Sequence, residues 1–452
     1  MSLVLILIGV IAFIVVATSK FKLHPFLTLI LAAFIAAFTY GLPSITIAKT
    51  ITSGFGGILG YIGLVIVLGT IIGTILEKSG AAITMADCVI KLLGKRFPTL
   101  TMSLIGYLVS IPVFCDSGFV ILNSLKQSMA NRMKVSSVSM SVALATGLYA
   151  THTFVPPTPG PIAAAGNLGL ESNLGLVILV GIFVAAVTAL AGMLWANRFA
   201  NVEPDGEGAS ELNSQNEEYE ALKQSYGPLP SPFKAFAPIF VPILFICFGS
   251  IAGFPSAPLG KESLYDVLVF LGQPVNALLI GLFLSLLLLK SDKKIEEFSE
   301  RISQGLVVAA PILLITGAGG AFGAVLKATP IGDFLGTSLS ALGIGIFMPF
   351  IVAAALKSAQ GSSTVALVAT SALVAPMLGD IGLASEMGRV LTVMAIGAGA
   401  MTVSHANDSF FWVVTQFSRM SVPQAYKAQT MATLIQGVTA MCLVYVLSVF
   451  LL

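Results

Sequence analysis

The sequence predicts an all-α polytopic membrane protein of two inverted-topology repeats, each of about five transmembrane helices plus a re-entrant helical hairpin. Three observations predict it: the composition, a series of apolar runs of spanning length, and a likeness between the two halves. Of 452 residues 56% are hydrophobic and 10% charged, with a mean hydropathy of +0.96, whereas a soluble domain carries about 25% charged residues. The balance of 23 Lys+Arg against 21 Asp+Glu leaves a formal +2, so there is no basic field for nucleic acid. Cys88, Cys115, Cys247 and Cys442 are scattered, which suggests neither a disulfide framework nor a C-x-x-C site. Soluble enzyme, nucleic-acid binder and secreted disulfide scaffold are thereby excluded.

Crossing the hydrocarbon core takes about 20 apolar helical residues. Simple spans are expected near 3–18, 23–41, 58–76, 136–152 and 174–197, and again near 234–253, 267–289, 306–326, 390–404 and 430–452. The first run lacks a basic leading segment and is followed by many more, so it reads as a span rather than a signal peptide. Between the groups lies 201–231, where Glu203, Asp205, Glu207, Glu211, Glu217, Glu218 and Glu220 face a lone Lys223; this is expected to be a solvated acidic linker. The expected organisation is an N-terminal repeat over 1–200, a cytoplasmic linker over 201–231 and an inverted C-terminal repeat over 232–452.

Two apolar stretches, 99–125 and 340–378, are interrupted by polar and breaker residues. The first reads Ile111-Pro112-Val113-Phe114-Cys115-Asp116-Ser117-Gly118 and the second Lys357-Ser358-Ala359-Gln360-Gly361-Ser362-Ser363-Thr364. Irregular backbone survives at membrane depth only where protein or a water-filled cavity satisfies it. Both stretches are therefore expected to be re-entrant hairpins. With the N-terminus outside and each hairpin re-emerging where it entered, 18 of the 23 basic residues, Lys126 among them, fall on the inside, as the positive-inside rule requires.

The halves also match. Gly73-Thr74-Ile75-Leu76-Glu77-Lys78 answers Gly323-Ala324-Val325-Leu326-Lys327, and Thr151-His152 answers Ser404-His405 about 250 residues on. Five spans and a hairpin make an odd number of crossings, so the second half must run inverted. In secondary transporters of this build the broken helices meet near the midplane and point to the binding site.

The candidate site residues lie at four breaks. In the first hairpin they are Cys115, Asp116, Ser117 and Gly118: Asp116 interrupts an apolar run, where a carboxyl serves either to carry a proton or to cap the second half-helix. After the fourth span come His152, Thr153, Pro156 and Thr158, in a run whose prolines end the helix. The second hairpin offers Lys357 for a carboxylate, Gln360, Ser362, Ser363 and Thr364 for hydroxyls, and Gly361 for close approach of backbone. Helix packing by the hydroxyls and snorkelling by the lysine are the competing readings. The last break supplies His405, Asn407, Asp408 and Ser409. Asp116, Asp408 and His152 are the candidate proton carriers. The glycines of 54–60 and 317–323 lead into no Gly-Lys-Ser/Thr and read as helix packing, so no ATP site is expected. No nucleophile elbow or metal-ligand cluster is found, and no enzyme activity, metal or cofactor is expected.

At Lys22-Leu23-His24-Pro25-Phe26, Val155-Pro156-Pro157-x-Pro159, Gly317–Phe322, Gln360-Gly361-Ser362-Ser363-Thr364-Val365-Ala366 and Asn407-Asp408-Ser409-Phe410-Phe411-Trp412, the chain resembles the gluconate:proton symporter (GntP) family of bacterial inner-membrane permeases. The likeness implies proton-driven import of a sugar acid or small hydroxy acid, gluconate being the type substrate and D-serine another cargo of the family. It also implies a homodimer, by analogy with the wider ion-transporter superfamily. The first hairpin departs from the family: Phe114-Cys115-Asp116-Ser117-Gly118 stands where gluconate and D-serine carriers show Phe-x-Glu-Val. The shorter acid reshapes the pocket and makes a smaller cargo such as glycerate plausible. A sodium-coupled carboxylate symporter and an amino-acid permease of the same architecture are the alternatives.

Overall fold

The computed structural model describes residues 2–93, 96–206, 221, 223–253, 263–290, 293–329 and 345–452. Residues 207–220 of the acidic stretch and residues 340–344 of the second interrupted stretch thus lie outside the described residues. Every regular element among the described residues is helical. Among the described residues six helices are long and apolar enough to cross a bilayer, or seven if a pair bent by 71° at Gln273 is one span. Ten simple spans are expected from the sequence; several of the apolar runs form helices shorter than a full crossing requires. Pro25–Thr39, for example, has 15 residues, about 22 Å at 1.5 Å per residue.

The first half runs α1 (Ser2–Ser19), α2 (Pro25–Thr39), α3 (Ser44–Ser79), α4 (Ala81–Leu93), α5 (Pro98–Val109), α6 (Cys115–Met133), α7 (Ser137–Phe154), α8 (Pro159–Asn167) and α9 (Leu174–Ala196). The second runs α10 (Pro232–Ala252), α11 (Ser263–Gly272), α12 (Pro274–Ser285), α13 (Lys294–Lys327), α14 (Phe347–Gln360), α15 (Ser363–Val374), α16 (Glu386–Met401), α17 (Ser409–Phe417) and α18 (Val422–Leu451), the last carrying a π-turn at Tyr426–Thr430.

Sequence chemistry fixes the boundaries. Proline stands at the start of α2, α5, α8, α10 and α12, where its missing N–H costs nothing. Ser136, Ser362, Ser385 and Asp408 cap α7, α15, α16 and α17 by accepting from backbone N–H groups of the first turn. Gly80, at φ +80°, ends α3.

The long helices α3 and α13 pack along one another at the centre. Gly54 permits this: a Cβ there would stand 2.5 Å from the Ala324 Cβ and 2.6 Å from the Gly320 carbonyl oxygen. The glycines of 317–323 all pack closely on neighbouring elements, whereas in 54–60 only Gly54 does: a Cβ on Gly56, Gly57 or Gly60 would meet nothing within 4 Å. In the first half α7 lies between α5 and α9, and in the second α16 lies between α14 and α18. The short helix that follows each break packs on the other half, α8 on α15 and α17 on α6. All 18 residues of α7 are buried, so it is a core helix. On α9, α13 and α18, by contrast, Phe183, Leu194, Val307 and Val449 are exposed, a surface suited to lipid tails.

Three expectations change. Helix α13 starts at Lys294, not near 306, because its first three turns are polar (Glu296, Glu297, Glu300, Arg301) and invisible to a hydropathy reading. Helix α4 lies outside the set of expected spans, being short and amphipathic. Lys126, counted with the inside loop residues, is fully buried in α6, which continues to Met133 before turning through Lys134.

Candidate functional site

Site residues of the second half are held by one buried ion pair. Lys357, near the end of α14, is 0% exposed, and its Nζ donates to Asp408 Oδ2 at 2.5 Å and to the Gly361 carbonyl oxygen at 2.5 Å. The same Asp408 oxygen accepts from the Ser404 hydroxyl, and Oδ1 accepts from the Phe410 N–H at 3.0 Å as the cap of α17. Lys357 does not snorkel. Two of its donors are used internally, so a substrate carboxylate would compete with Asp408 for it.

The turn between α14 and α15 is pinned in two further ways. Gln360 closes on Ser362, its Nε2 donating to the Ser362 carbonyl oxygen and its Oε1 accepting from the Ser362 N–H. Ser362 Oγ caps α15 by accepting from the Val365 N–H at 3.3 Å. Gly361 sits at φ +92°, and a Cβ would run into the Asn407 carbonyl oxygen, so this turn needs glycine twice over. Across it, the Ser358 carbonyl oxygen meets His405 Nε2 at 2.9 Å and accepts from Asn407 Nδ2 at 2.8 Å. The break after α16 thus lies directly on the tip of the α14–α15 pair. Ser363 and Thr364 begin α15 there, Ser363 buried and Thr364 half-buried.

In the first half α6 starts at Cys115, with Phe114 as its cap residue and the Gly118 N–H bonded to the Phe114 carbonyl oxygen at 2.8 Å. Asp116 is therefore in the first turn and not the cap, because the helix begins two residues earlier than a cap at Asp116 requires. Its Oδ2 lies 3.7 Å from Cys115 Sγ, while the buried Oδ1 has no partner among the described residues. Asp116 is near enough to Asp408 to feel its charge and lies beside the Ser409 hydroxyl. Ser409 itself is exposed, and Gly118 packs on Leu148.

His152 closes the ring. It is 5% exposed, stacks on Tyr149 with centroids 6.4 Å apart, lies 5.9 Å from the Phe114 ring and is within electrostatic reach of Asp408 and Lys357. Among the described residues its Nδ1 has no partner, and neither has Asn407 Oδ1. Thr153 and Thr158 spend their hydroxyls on α7 and Val155 carbonyl oxygens, and Pro156 is buried against the chain. These three belong to the frame of the break.

Several participants escape a reading of sequence. Tyr149, Phe410 and Phe119 form a buried aromatic cluster, with centroids of 5.2 Å for Tyr149–Phe410 and 6.2 Å for Phe119–Phe410. Tyr149 also sits 6.0 Å under the Lys357 ammonium. Aromatic residues are everywhere in such a chain, with 29 Phe and 9 Tyr, so nothing sets these apart in the sequence. Beyond the α6 tip, a cavity of about 470 Å³ is lined by Thr74, Glu77, Lys78, Phe114, Ser117, Arg301 and Gln304 among others. It lies on the side that basic residues assign to the cytoplasm. A second cavity, of about 540 Å³, lies between α3, α8, α13 and α15, with Lys327 and Arg389 at its walls.

Discontinuous helices, a buried polar centre and a lipid-facing exterior define a polytopic membrane protein of the carrier type. Residues 1–450 match the family described as GntP family permease, and the chain belongs to that family. It is 34% identical to the gluconate permease of Pseudomonas aeruginosa over 98% of this chain and 97% of that one. It is 32% identical to the D-serine transporter DsdX of Escherichia coli K12 over 97% and 96%. In fold it resembles the YdaH transporter of Alcanivorax borkumensis, with a TM-score of 0.68 at 15% identity, covering 94% of this chain and 98% of that one. The protein is a permease and not an enzyme.

Proposed function

We propose that the protein imports a sugar acid or small hydroxy acid, gluconate or a smaller relative such as glycerate, by proton symport across the bacterial inner membrane. The observation that carries this reading is the convergence of three buried polar atoms without partners, Asp116 Oδ1, His152 Nδ1 and Asn407 Oδ1, around the Lys357–Asp408 pair. Buried polar groups are ordinarily hydrogen-bonded, so orphans drawn from both halves mark the place where a ligand's own donors and acceptors belong. The two helix pairs are re-entrant hairpins of inverted repeats in this reading, and the crossed packing of α8 on α15 and α17 on α6 supports it. The substrate carboxylate meets the N-termini of α6 and α15, with Lys357 within reach. Hydroxyls meet Ser363, Thr364 and Asn407. Asp116 carries the proton, since its free oxygen has nothing else to satisfy it.

A D-serine cargo is the second reading, favoured by the likeness to a D-serine transporter. Uptake of labelled gluconate into vesicles, competed by glycerate, other hydroxy acids and D-serine with an imposed proton or sodium gradient, decides cargo and ion together. Asp116→Asn should insert normally and lose proton-driven accumulation. Accumulation by that variant with unchanged pH dependence would overturn the assignment of Asp116.

A further inference from the structure

Among the described residues two lysines are completely buried, and only one of them has a counter-ion there. Lys357 has Asp408. Lys126, on the second arm of the first helix pair, is 0% exposed, and its Nζ donates to the Ser141 hydroxyl at 3.1 Å and lies 5.7 Å over the Phe119 ring. Carboxylates on the elements packed against α6 are otherwise engaged: Glu77 with Lys78 at 3.6 Å, Asp87 with Lys223 at 3.2 Å and Asp408 with Lys357. Asp116 stands ten residues before Lys126 on the same helix, about 15 Å away along its axis. One turn before Lys126 and on the same face of α6, Asn123 Oδ1 is buried and has no partner among the described residues. A buried amine is costly in its charged form when it has no anion, and so is an orphaned polar atom on the same helix face.

The two lysines stand at opposite ends of one aromatic cluster. From Lys126 the path runs 5.7 Å to the Phe119 ring, 6.2 Å to Phe410, 5.2 Å to Tyr149 and 6.0 Å to the Lys357 ammonium. Phe119 and Lys126 are seven residues apart and share a face of α6. Lys126 is thus displaced from the candidate site toward the end of α6 that basic residues assign to the cytoplasm. We propose that Lys126 is a second binding point for the carboxylate of the transported anion, on the cytoplasmic side of the Phe119–Phe410–Tyr149 cluster, with Asn123 offering an acceptor to its hydroxyls. This rests on the carrier reading given above. The site is closed in this conformation and opens as α6 parts from α7. The anion that Lys126 lacks is then the cargo, passed from the first binding point on its way to the cytoplasm.

The test compares the two faces of the membrane. Half-saturating concentrations of gluconate and glycerate, and of gluconamide and glyceramide as neutral probes, are measured in right-side-out and inside-out vesicles. Lys126→Met should weaken the acids at the cytoplasmic face by about tenfold or more, the scale of a hydrogen bond to a charged group, with a much smaller change at the outer face and for the amides. Equal loss at both faces, or equal loss for acid and amide, would overturn the proposal. Ser141→Asp gives Lys126 an internal counter-ion without opening a hole. It should weaken the acids at the cytoplasmic face while leaving the protein at least as heat-stable, whereas unchanged acid affinity there would count against the site. Wild-type vesicles that transport none of the acids would instead sink the carrier reading itself.

Discussion

Lys357 and Asp408 illustrate what a single pair can decide in a dry interior. Each was conspicuous in the sequence as a charge at a break, but their pairing across 51 residues was not legible, because it depends on which breaks the fold sets face to face. The same holds for Ser404, whose hydroxyl completes the Asp408 shell. Taking both charges from water is expensive, and their attraction repays it only while both are present. Removing one partner of a buried pair costs about 3–5 kcal/mol, since the other charge is left alone. We therefore expect Lys357→Met to lower the thermal stability of the purified protein steeply, and Asp408→Asn to do the same. The double variant, with neither charge, should recover much of the loss. If the double variant is as unstable as the sum of the two singles, the groups act independently and the pair is no unit.

At the scale of elements, the sequence was most informative where chemistry is local. The polar interruption at 111–118 falls at the junction of α5 and α6, and that at 357–364 at the junction of α14 and α15, because Pro, Gly and Ser act on the backbone within a few residues. It was least informative where an element is polar yet packed, as at the start of α13, or where a span is bent, as between α11 and α12. The stretch read as an acidic linker also has structure at its start. Gly206 N–H donates to the Arg419 carbonyl oxygen at 2.9 Å, Gln424 Nε2 to the Glu203 carbonyl oxygen at 2.8 Å, and the Ser421 N–H to Asp205 Oδ1 at 2.9 Å, so residues 203–206 strap the entry of α18. The bond from the Ser421 backbone holds the Asp205 carboxyl below its ordinary range. A carboxyl depressed by folding adds stability above its unfolded value, near pH 4, and that contribution is lost as pH falls through the lower folded value. Amide exchange at Ser421, corrected for its intrinsic pH dependence, should thus be slow at neutral pH and quicken at strongly acidic pH. Asp205→Ala should show the fast rate already at neutral pH; protection equal to wild type there would mean that the strap holds without the carboxylate.

For the whole molecule, the relation between cavity and site matters more than either alone. The cavity of about 470 Å³ reaches Phe114 and Ser117 at the tip of the first helix pair, one turn or less from Asp116, and Arg301 and Lys78 stand at its walls. Its charges are paired, Lys78 with Glu77 and Arg301 with Glu297, so the cavity fits a polar, water-accessible approach to the tip of the first helix pair from the side that basic residues assign to the cytoplasm. A ligand shifts a conformational equilibrium only through its different affinity for the two states. Substrate supplied from outside with protons should favour the state in which this route is shut and the α14–α15 tip is reached from the other side. A cysteine placed at Ser117 in a background lacking Cys88, Cys115, Cys247 and Cys442 should react with a membrane-impermeant thiol reagent from the cytoplasmic face, and react more slowly when external substrate and protons are present. A cysteine at Ser362 should change in the opposite sense from the outer face, since both tips belong to one moving unit. Rates that stay constant at both positions would leave the helix pairs as fixed structure and place the moving parts elsewhere, whereas a change at Ser117 alone would confine the motion to the first half and break the link between the two halves.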